Sequence, residues 1–248
     1  MAAIQADIEH PPAPAAVVSG PTSFIGRQLA PVGAPPPAYL QRLDALTAQR
    51  RPVNRGEQLF GQGDRLNALY EIHAGWFKTC VSDSTGRCQV TGFQMGGDLL
   101  GLDGIDGERH SVAVVALEDA LVCVIPFVAL DQLLHEQRSL QHEFHRLLSR
   151  EIVRQQAMLL LLGTMAAEGR IAAFVLDLTK RLHARGYSSS ELVLRMTREE
   201  IGSYLGLQLE TVSRGFSKLQ SEGVLTIRNR KVCVVDEVAL RRIVNGHA

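Results

Sequence analysis

Long apolar runs are missing from this 248-residue chain. No stretch reaches the roughly 18 residues that a bilayer crossing takes, so no membrane span is expected. The N-terminus carries no basic patch followed by an apolar stretch, so no secretory leader is expected either, and the expected compartment is the cytoplasm. Cysteine is scarce. Cys80, Cys88, Cys123 and Cys233 are scattered, and no two of them make a C-x-x-C. In a cytosolic protein of this size that pattern argues for free thiols, not a disulfide framework. Net charge is also absent, with 26 basic against 26 acidic side chains, so no global field advertises a nucleic acid. The patterns of catalysis are lacking as well. There is no glycine-rich phosphate loop, no G-x-S-x-G, no H-E-x-x-H and no organised acid–base pair. Asp98, Asp103, Asp106 and Glu108 crowd one glycine-rich stretch, which reads as a turn and not as a metal site. An enzyme is not expected.

What is present suffices for a core: 46% of residues are hydrophobic and 21% charged, unlike a disordered polymer. The zero net charge hides an asymmetry. Residues 1–164 hold 13 basic and 17 acidic side chains, while residues 165–248 hold 13 and 9. A basic C-terminal third hints at a polyanion partner, because Lys and Arg displace counterions from phosphates. Eight of the ten prolines fall within residues 1–37, beside only Asp7, Glu9 and Arg27 as charges. Proline cannot continue a helix or donate to a ladder, so 1–37 is expected to be a flexible tail, with some ordering around Phe24 to Leu29.

Tyr39 to Thr47 reads as a short helix. Over 52–127, short β-like runs alternate with Gly or Asp punctuation, the pattern of a β-barrel or roll. Ser111–Ala116 and Ala120–Ile125 read as a strand pair closing it. From Phe127 the period is helical. Residues 137–164 carry two stripes at spacings of 3 and 4: His145, Leu148, Ile152, Gln155, Leu159, Leu162, and Phe144, Leu147, Glu151, Arg154, Met158, Leu161. One stripe packs on the helix's own domain. A second suggests a partner helix, as in a parallel coiled coil, with Gln155 as a polar register-setter; the alternative is burial within one chain. Residues 166–185 form another helix.

Thr197-Arg-Glu-Glu200 is a capping box. It opens a helix containing Ile201 and Leu205 that stops at Gly206. A second helix runs from Leu209 to Glu222, with Val212, Phe216 and Leu219 as its apolar face and Gly223 as its cap. Two short helices joined through a glycine turn have the form of a helix-turn-helix. A hairpin follows, Val224–Ile227 and Lys231–Val235, with a basic tip at Arg228–Arg230, which makes the unit winged. The exposed early face of the second helix offers Glu210, Ser213 and Arg214, where a recognition helix meets base edges. Arg214 can donate two hydrogen bonds to guanine, Glu210 can accept from cytosine N4, and Ser213 can adapt to thymine or phosphate. Ser217, Lys218 and Arg230 suit phosphates. A solvated Glu210–Arg214 ion pair, worth only about 0.2–0.5 kcal/mol, is the bland alternative. The cap, turn, wing and basic third favour double-stranded DNA.

These residues resemble the Crp/Fnr superfamily of bacterial transcription regulators, and within it the Fnr branch, over about residues 52–240. The pieces are Leu59-Phe-Gly-Gln-Gly-Asp64, Leu69-Tyr-Glu-Ile-His-Ala-Gly75, Gln89-Val-Thr-Gly-Phe93, Gly97-Asp-Leu-Leu-Gly-Leu-Asp103, Val122-Cys-Val-Ile-Pro-Phe127, Met196 to Leu207, and Glu210-Thr-Val-Ser-Arg214. The resemblance implies an α+β fold: a cyclic-nucleotide-binding-like β-roll over 38–136, a dimerisation helix over 137–164, and a winged helix-turn-helix over 165–248. It further implies a homodimer on a TTGAT-type palindrome and activation through RNA polymerase contacts, on loops here near Ser82–Cys88 and Arg185–Glu191. Arg87 and Cys88 depart from the acidic turn usual there.

Oxygen-sensing members hold a [4Fe–4S] cluster on three N-terminal cysteines and one in the roll. Cys123 matches the fourth, but Thr22–Gly33 contains no cysteine, and four thiolates are the usual requirement. No cofactor and no metal are expected. Cyclic-nucleotide binders carry Gly-Glu and an adjacent Arg-Ser pair; here Asp98 follows Gly97, and Arg109 and Ser111 are split by His110. For haem, His73, His110, His135, His142 and His145 show no diagnostic spacing. Where those relatives place an acid on the seam, this chain has Gln155, so a nearly constitutive dimer is expected.

Overall fold

The structure, a computed structural model, describes residues 23–29, 39–83 and 86–246. Most of the expected tail, and Ser84 and Thr85 of one expected polymerase loop, lie outside the described residues.

Glycine and aspartate turns cut the first half into eight strands: β1 (Arg50–Val53), β2 (Gln58–Phe60), β3 (Ala68–Ala74), β4 (Trp76–Ser82), β5 (Cys88–Met95), β6 (Leu99–Leu100), β7 (Ala113–Ala116) and β8 (Ala120–Pro126). They form two antiparallel sheets, ordered β1-β8-β3-β6 and β2-β7-β4-β5. Ile72, Phe77, Val114 and Val122 are buried together in the roll. Gly75 makes the β3–β4 turn at φ +97°, and a Cβ there would stand 2.5 Å from that of Ala120. The expected pairing of Ser111–Ala116 with Ala120–Ile125 is corrected. β7 pairs with β2 and β4, whereas β8 pairs with β1 and β3. The short link over 117–119 carries the chain from one sheet to the other instead of folding it into a hairpin.

Three helices, α1 (Phe24–Leu29), α2 (Tyr39–Leu46) and α3 (Phe127–Glu136), cover the β8–β3 sheet. Ile25, Leu29 and Leu43 are buried there with Leu69, Ile125 and Leu130. The long helix α4 (Arg138–Thr164) follows. Its two stripes behave differently. Phe144 and Leu147 are buried and Met158 and Leu161 pack on the core, while Ile152 is 57% exposed and Leu159 69%.

The C-terminal unit comprises α5 (Ala167–His183), β9 (Glu191–Val193), α6 (Arg198–Leu205), α7 (Leu209–Ser221), β10 (Leu225–Arg228), β11 (Lys231–Val234) and α8 (Glu237–Val244). Its hydrophobic core runs without a break onto the roll. Trp76, Val90, Phe93 and Met95 share it with Phe174, Ile201 and Phe216, and the Phe93 ring meets those of Tyr204 at 5.2 Å and Phe174 at 6.0 Å, edge-on. The fold is therefore α+β: a β-roll, one long helix and a winged helix-turn-helix.

Candidate nucleic-acid interface

Thr197 accepts from the Glu200 amide, and Glu200 reaches back to the Thr197 amide, so both halves of the capping box form. Such caps contribute about 1 kcal/mol each. α6 then ends at Gly206 in the left-handed region, φ +64°. The turn folds back so tightly that a Cβ on Gly202 would stand 2.6 Å from the Leu207 carbonyl oxygen. Val212, Phe216 and Leu219 of α7 are buried against Ile171, Ile201 and Leu205. Each such side chain contributes roughly 1.5–3 kcal/mol on burial, and this fixes which face of α7 is turned outward.

That outward face is the expected one. Glu210, Ser213, Arg214, Ser217 and Lys218 are all exposed. Among the described residues, neither Glu210 nor Arg214 forms an ion pair, so both carry free charge at the N-terminal end of α7. Lys218 is different. Its ammonium sits 2.5 Å from Glu168 and 3.7 Å from Glu222, and the Glu168 hydrogen bond and charge raise its pKa. It is a paired cation that must exchange partners to meet a phosphate. Arg228, Asn229 and Arg230 are exposed on the wing tip, where Asn229 takes φ +56° to close the turn. The wing holds a third strand that the sequence pattern did not show, since β9 pairs with β11; α8 was missed too.

Two positioning residues also escaped the sequence pattern. Arg170 donates to the carbonyls of Leu162 and Met165 at the end of α4 and to that of Leu205 at the end of α6. One guanidinium thus satisfies orphan acceptors at two negative helix ends. Arg198 lies over the Phe216 ring at 3.5 Å, and desolvation lowers its pKa. Ile171 of α5 also touches α7 at Gly215, where any Cβ would collide with the isoleucine's Cδ1.

On α4, the expected seam residues His145, Ile152, Gln155 and Leu159 are exposed and Leu148 and Leu162 are half-buried. They form one outward stripe. Gln155 donates to Glu151 at 2.8 Å. Between this stripe and the roll lies a groove of about 640 Å³, lined by Leu100, Val114, Leu148, Ile152 and Arg154 among others. Arg154 is paired with Glu151 at 2.8 Å. Arg109 points away to the Gly63 carbonyl, and Ser111 is held by Asp103. Neither takes the place of a phosphate reader in the groove.

The thiols do not fit a four-cysteine cluster. Cys123 is buried on β8, opposite Arg50 and Glu71. Cys80 and Cys88 lie on the other sheet and Cys233 on the wing. Where the N-terminal ligands would come from, α1 inserts Ile25 and Leu29 into the core. The histidines are equally dispersed. His110 is buried and stacked on Phe60 at 3.7 Å, His135 binds the carbonyl of Asp131, and His142 and His145 are exposed. Among the described residues no helix is long and apolar enough to cross a membrane.

Residues 50–137 match the model of the cyclic nucleotide-binding domain, and residues 169–243 that of the Crp-like helix-turn-helix domain. The chain is 46% identical over 221 residues to the transcriptional regulatory protein btr of Bordetella pertussis, covering 89% of this chain and 91% of that one. It is 40% identical over 221 residues to the transcriptional activator protein Anr of Pseudomonas protegens, covering 88% and 91%. Among solved structures it resembles FixK2 from Bradyrhizobium japonicum, with a TM-score of 0.73 and 27% identity over 79% of this chain and 96% of that one.

Proposed function

The chain belongs to the Crp/Fnr family of DNA-binding transcription regulators, and from that premise we propose that it works as a homodimer on a TTGAT-type palindrome. It is not an enzyme; its relatives are regulators. The observation that carries the reading is the free face of α7: Glu210, Ser213 and Arg214 exposed together at its start, on a helix whose other face is locked in the core. In this reading Arg214 reads guanine, Glu210 the opposing cytosine and Ser213 a neighbouring thymine or phosphate, while Ser217, Lys218 and Arg230 hold the backbone. The outward α4 stripe from His145 to Leu162 supplies the dimer seam. Two copies then set two recognition helices about 34–36 Å apart. The working organisation is an N-terminal segment 1–37 whose α1 packs on the roll, roll 38–136, dimerisation helix 137–164 and DNA-binding unit 165–248, acting in the cytoplasm.

The absence of converging thiols supports regulation without an iron–sulfur cluster, and the diverted Arg109 and Ser111 disfavour a cyclic nucleotide in the roll. Likeness to activators such as Anr supports a role in recruiting RNA polymerase, with Tyr187 on the Arg185–Glu191 loop 65% exposed for contact. Arg185 itself is turned inward. The test is fluorescence anisotropy with a labelled palindromic duplex and its scrambled counterpart at moderate salt. The reading expects a preference of about 10³-fold or more, and equal binding overturns it.

A further inference from the structure

Two of the four thiols meet on the β4–β5 hairpin. The ladder pairs Cys80 with Val90 and Ser82 with Cys88, so Cys80 and Cys88 occupy diagonal positions on one face. Cys88 is near enough to Cys80 to raise its thiol pKa. Cys80 is buried and Cys88 exposed. β5 is an edge strand, and α6 covers that edge: the Val90 amide donates to Ser203 Oγ at 2.9 Å, and the Gln89 side chain donates to the Ser203 carbonyl. Beside the thiols, Lys78 and Glu200 pair across the same seam at 2.8 Å. The first helix of the helix-turn-helix is thus seated within two residues of a dithiol.

We propose that Cys80 and Cys88 form a reversible disulfide on exposure to hydrogen peroxide, and that this bond loosens the seat of α6 on the roll. The exposed Cys88 is the sulfur that peroxide reaches first. It attacks the O–O bond, becomes a sulfenic acid and releases one water. Cys80 sulfur then attacks the Cys88 sulfur; the S–S bond forms, and the sulfenic hydroxyl leaves with the Cys80 proton as a second water. Two thiols are oxidised to one disulfide and one peroxide is reduced to two waters. Burial and the neighbouring Cys88 push the Cys80 thiol up to about 12, so Cys80 does not initiate and its attack on the sulfenic acid is the slow step. Diagonal partners stand about 7–8 Å apart between Cα atoms, slightly wider than the roughly 4.4–6.8 Å of a relaxed disulfide. Closing the bond therefore draws β5 toward β4 at Cys88, next to the Gln89 and Val90 bonds to Ser203. Cys123 and Cys233 lie elsewhere and take no part.

The test uses the full-length protein, and its first readout is covalent, so its outcome is separate from that of the DNA-binding reading. Protein treated with peroxide, then alkylated and digested without reductant, is expected to lose two alkylatable thiols and two hydrogen masses. The Cys80 and Cys88 peptides, separable by cleavage after Arg87, should be linked, and dithiothreitol should restore both. Cys80→Ser should leave Cys88 as a sulfenic acid trapped by dimedone. Amide exchange over 198–206 should rise several-fold in the oxidised wild type and stay unchanged in Cys88→Ser. Two independently alkylated thiols, or a Cys88 cross-link between chains, overturns the disulfide. A disulfide with unchanged exchange overturns the loosening.

Discussion

Asp98 Oδ2, on the roll, lies 2.7 Å from a guanidinium nitrogen of Arg181 on α5. Its other oxygen takes Arg185 at 2.5 Å, and the two arginines also cap the carbonyls of Phe93 and Gly96. All three side chains are less than a fifth exposed. Replacing Asp98 by Asn leaves two guanidiniums facing one neutral amide. The expected loss is about 2–3 kcal/mol, at the low end for a buried pair because this one retains some solvent. Calorimetry should show one unfolding transition becoming two, for roll and DNA-binding unit; an unchanged single transition would refute the coupling.

Arg214→Ala should cost about 1–3 kcal/mol at one base pair per half-site and relax preference there alone. Arg230→Ala should weaken all sequences alike and reduce the salt slope by about one. Competition binding against single-base-pair variants of the palindrome, repeated at several salt concentrations, separates the two effects.

Glu168→Gln should strengthen DNA binding, because it removes the nearer Lys218 partner and leaves only Glu222 at 3.7 Å. A gain appearing equally on specific and scrambled duplex is the expected outcome, since phosphates carry no sequence. No gain, even with Glu222→Gln added, would mean that Lys218 does not reach the backbone.

Ile152→Asp places two carboxylates where two apolar side chains are expected to meet, and light scattering should report a monomer at micromolar concentration. Gln155→Asp should make association pH-dependent, weaker at neutral pH than in acid, because facing carboxylates repel only when ionised. A dimer indifferent to both substitutions would place the seam elsewhere.

The Lys78–Glu200 pair predicts a pH window for domain docking. Burial raises Glu200, but Lys78 and the Thr197 hydrogen bonds outweigh it and hold the carboxyl below the usual range. Burial lowers Lys78, but Glu200 outweighs it and holds the ammonium above its usual value. The contribution is full between the two ordinary values. It is lost as pH falls through the depressed Glu200 value, or as it rises through the raised Lys78 value. Stability measured against pH in wild type and Lys78→Ala should differ most near neutrality and converge in strong acid.

Much of the reading unit was legible because its signals are local. The Thr197–Glu200 box, Gly206 and the spacing of Val212, Phe216 and Leu219 all lie within one or two turns of each other. The two α4 stripes were legible for the same reason. What was not legible is non-local. β7 and β8 look like a hairpin from their adjacency, and only the packing of two sheets separates them. β9 is three residues long and acquires its identity from pairing with β11. Arg170 reaches the Leu205 carbonyl, and Asp98 the guanidiniums of Arg181 and Arg185, across tens of residues that no periodicity links.

Backbone meets side chain without a spacer where α7 crosses Ile171 at Gly215. Any larger residue there would have to displace the end of the Ile171 side chain. A duplex carrying one extra base pair between its half-sites turns the far groove by roughly a tenth of a revolution. In the proposed dimer, two recognition helices held at one separation would meet that groove out of phase, so a duplex with altered spacing is expected to bind more weakly.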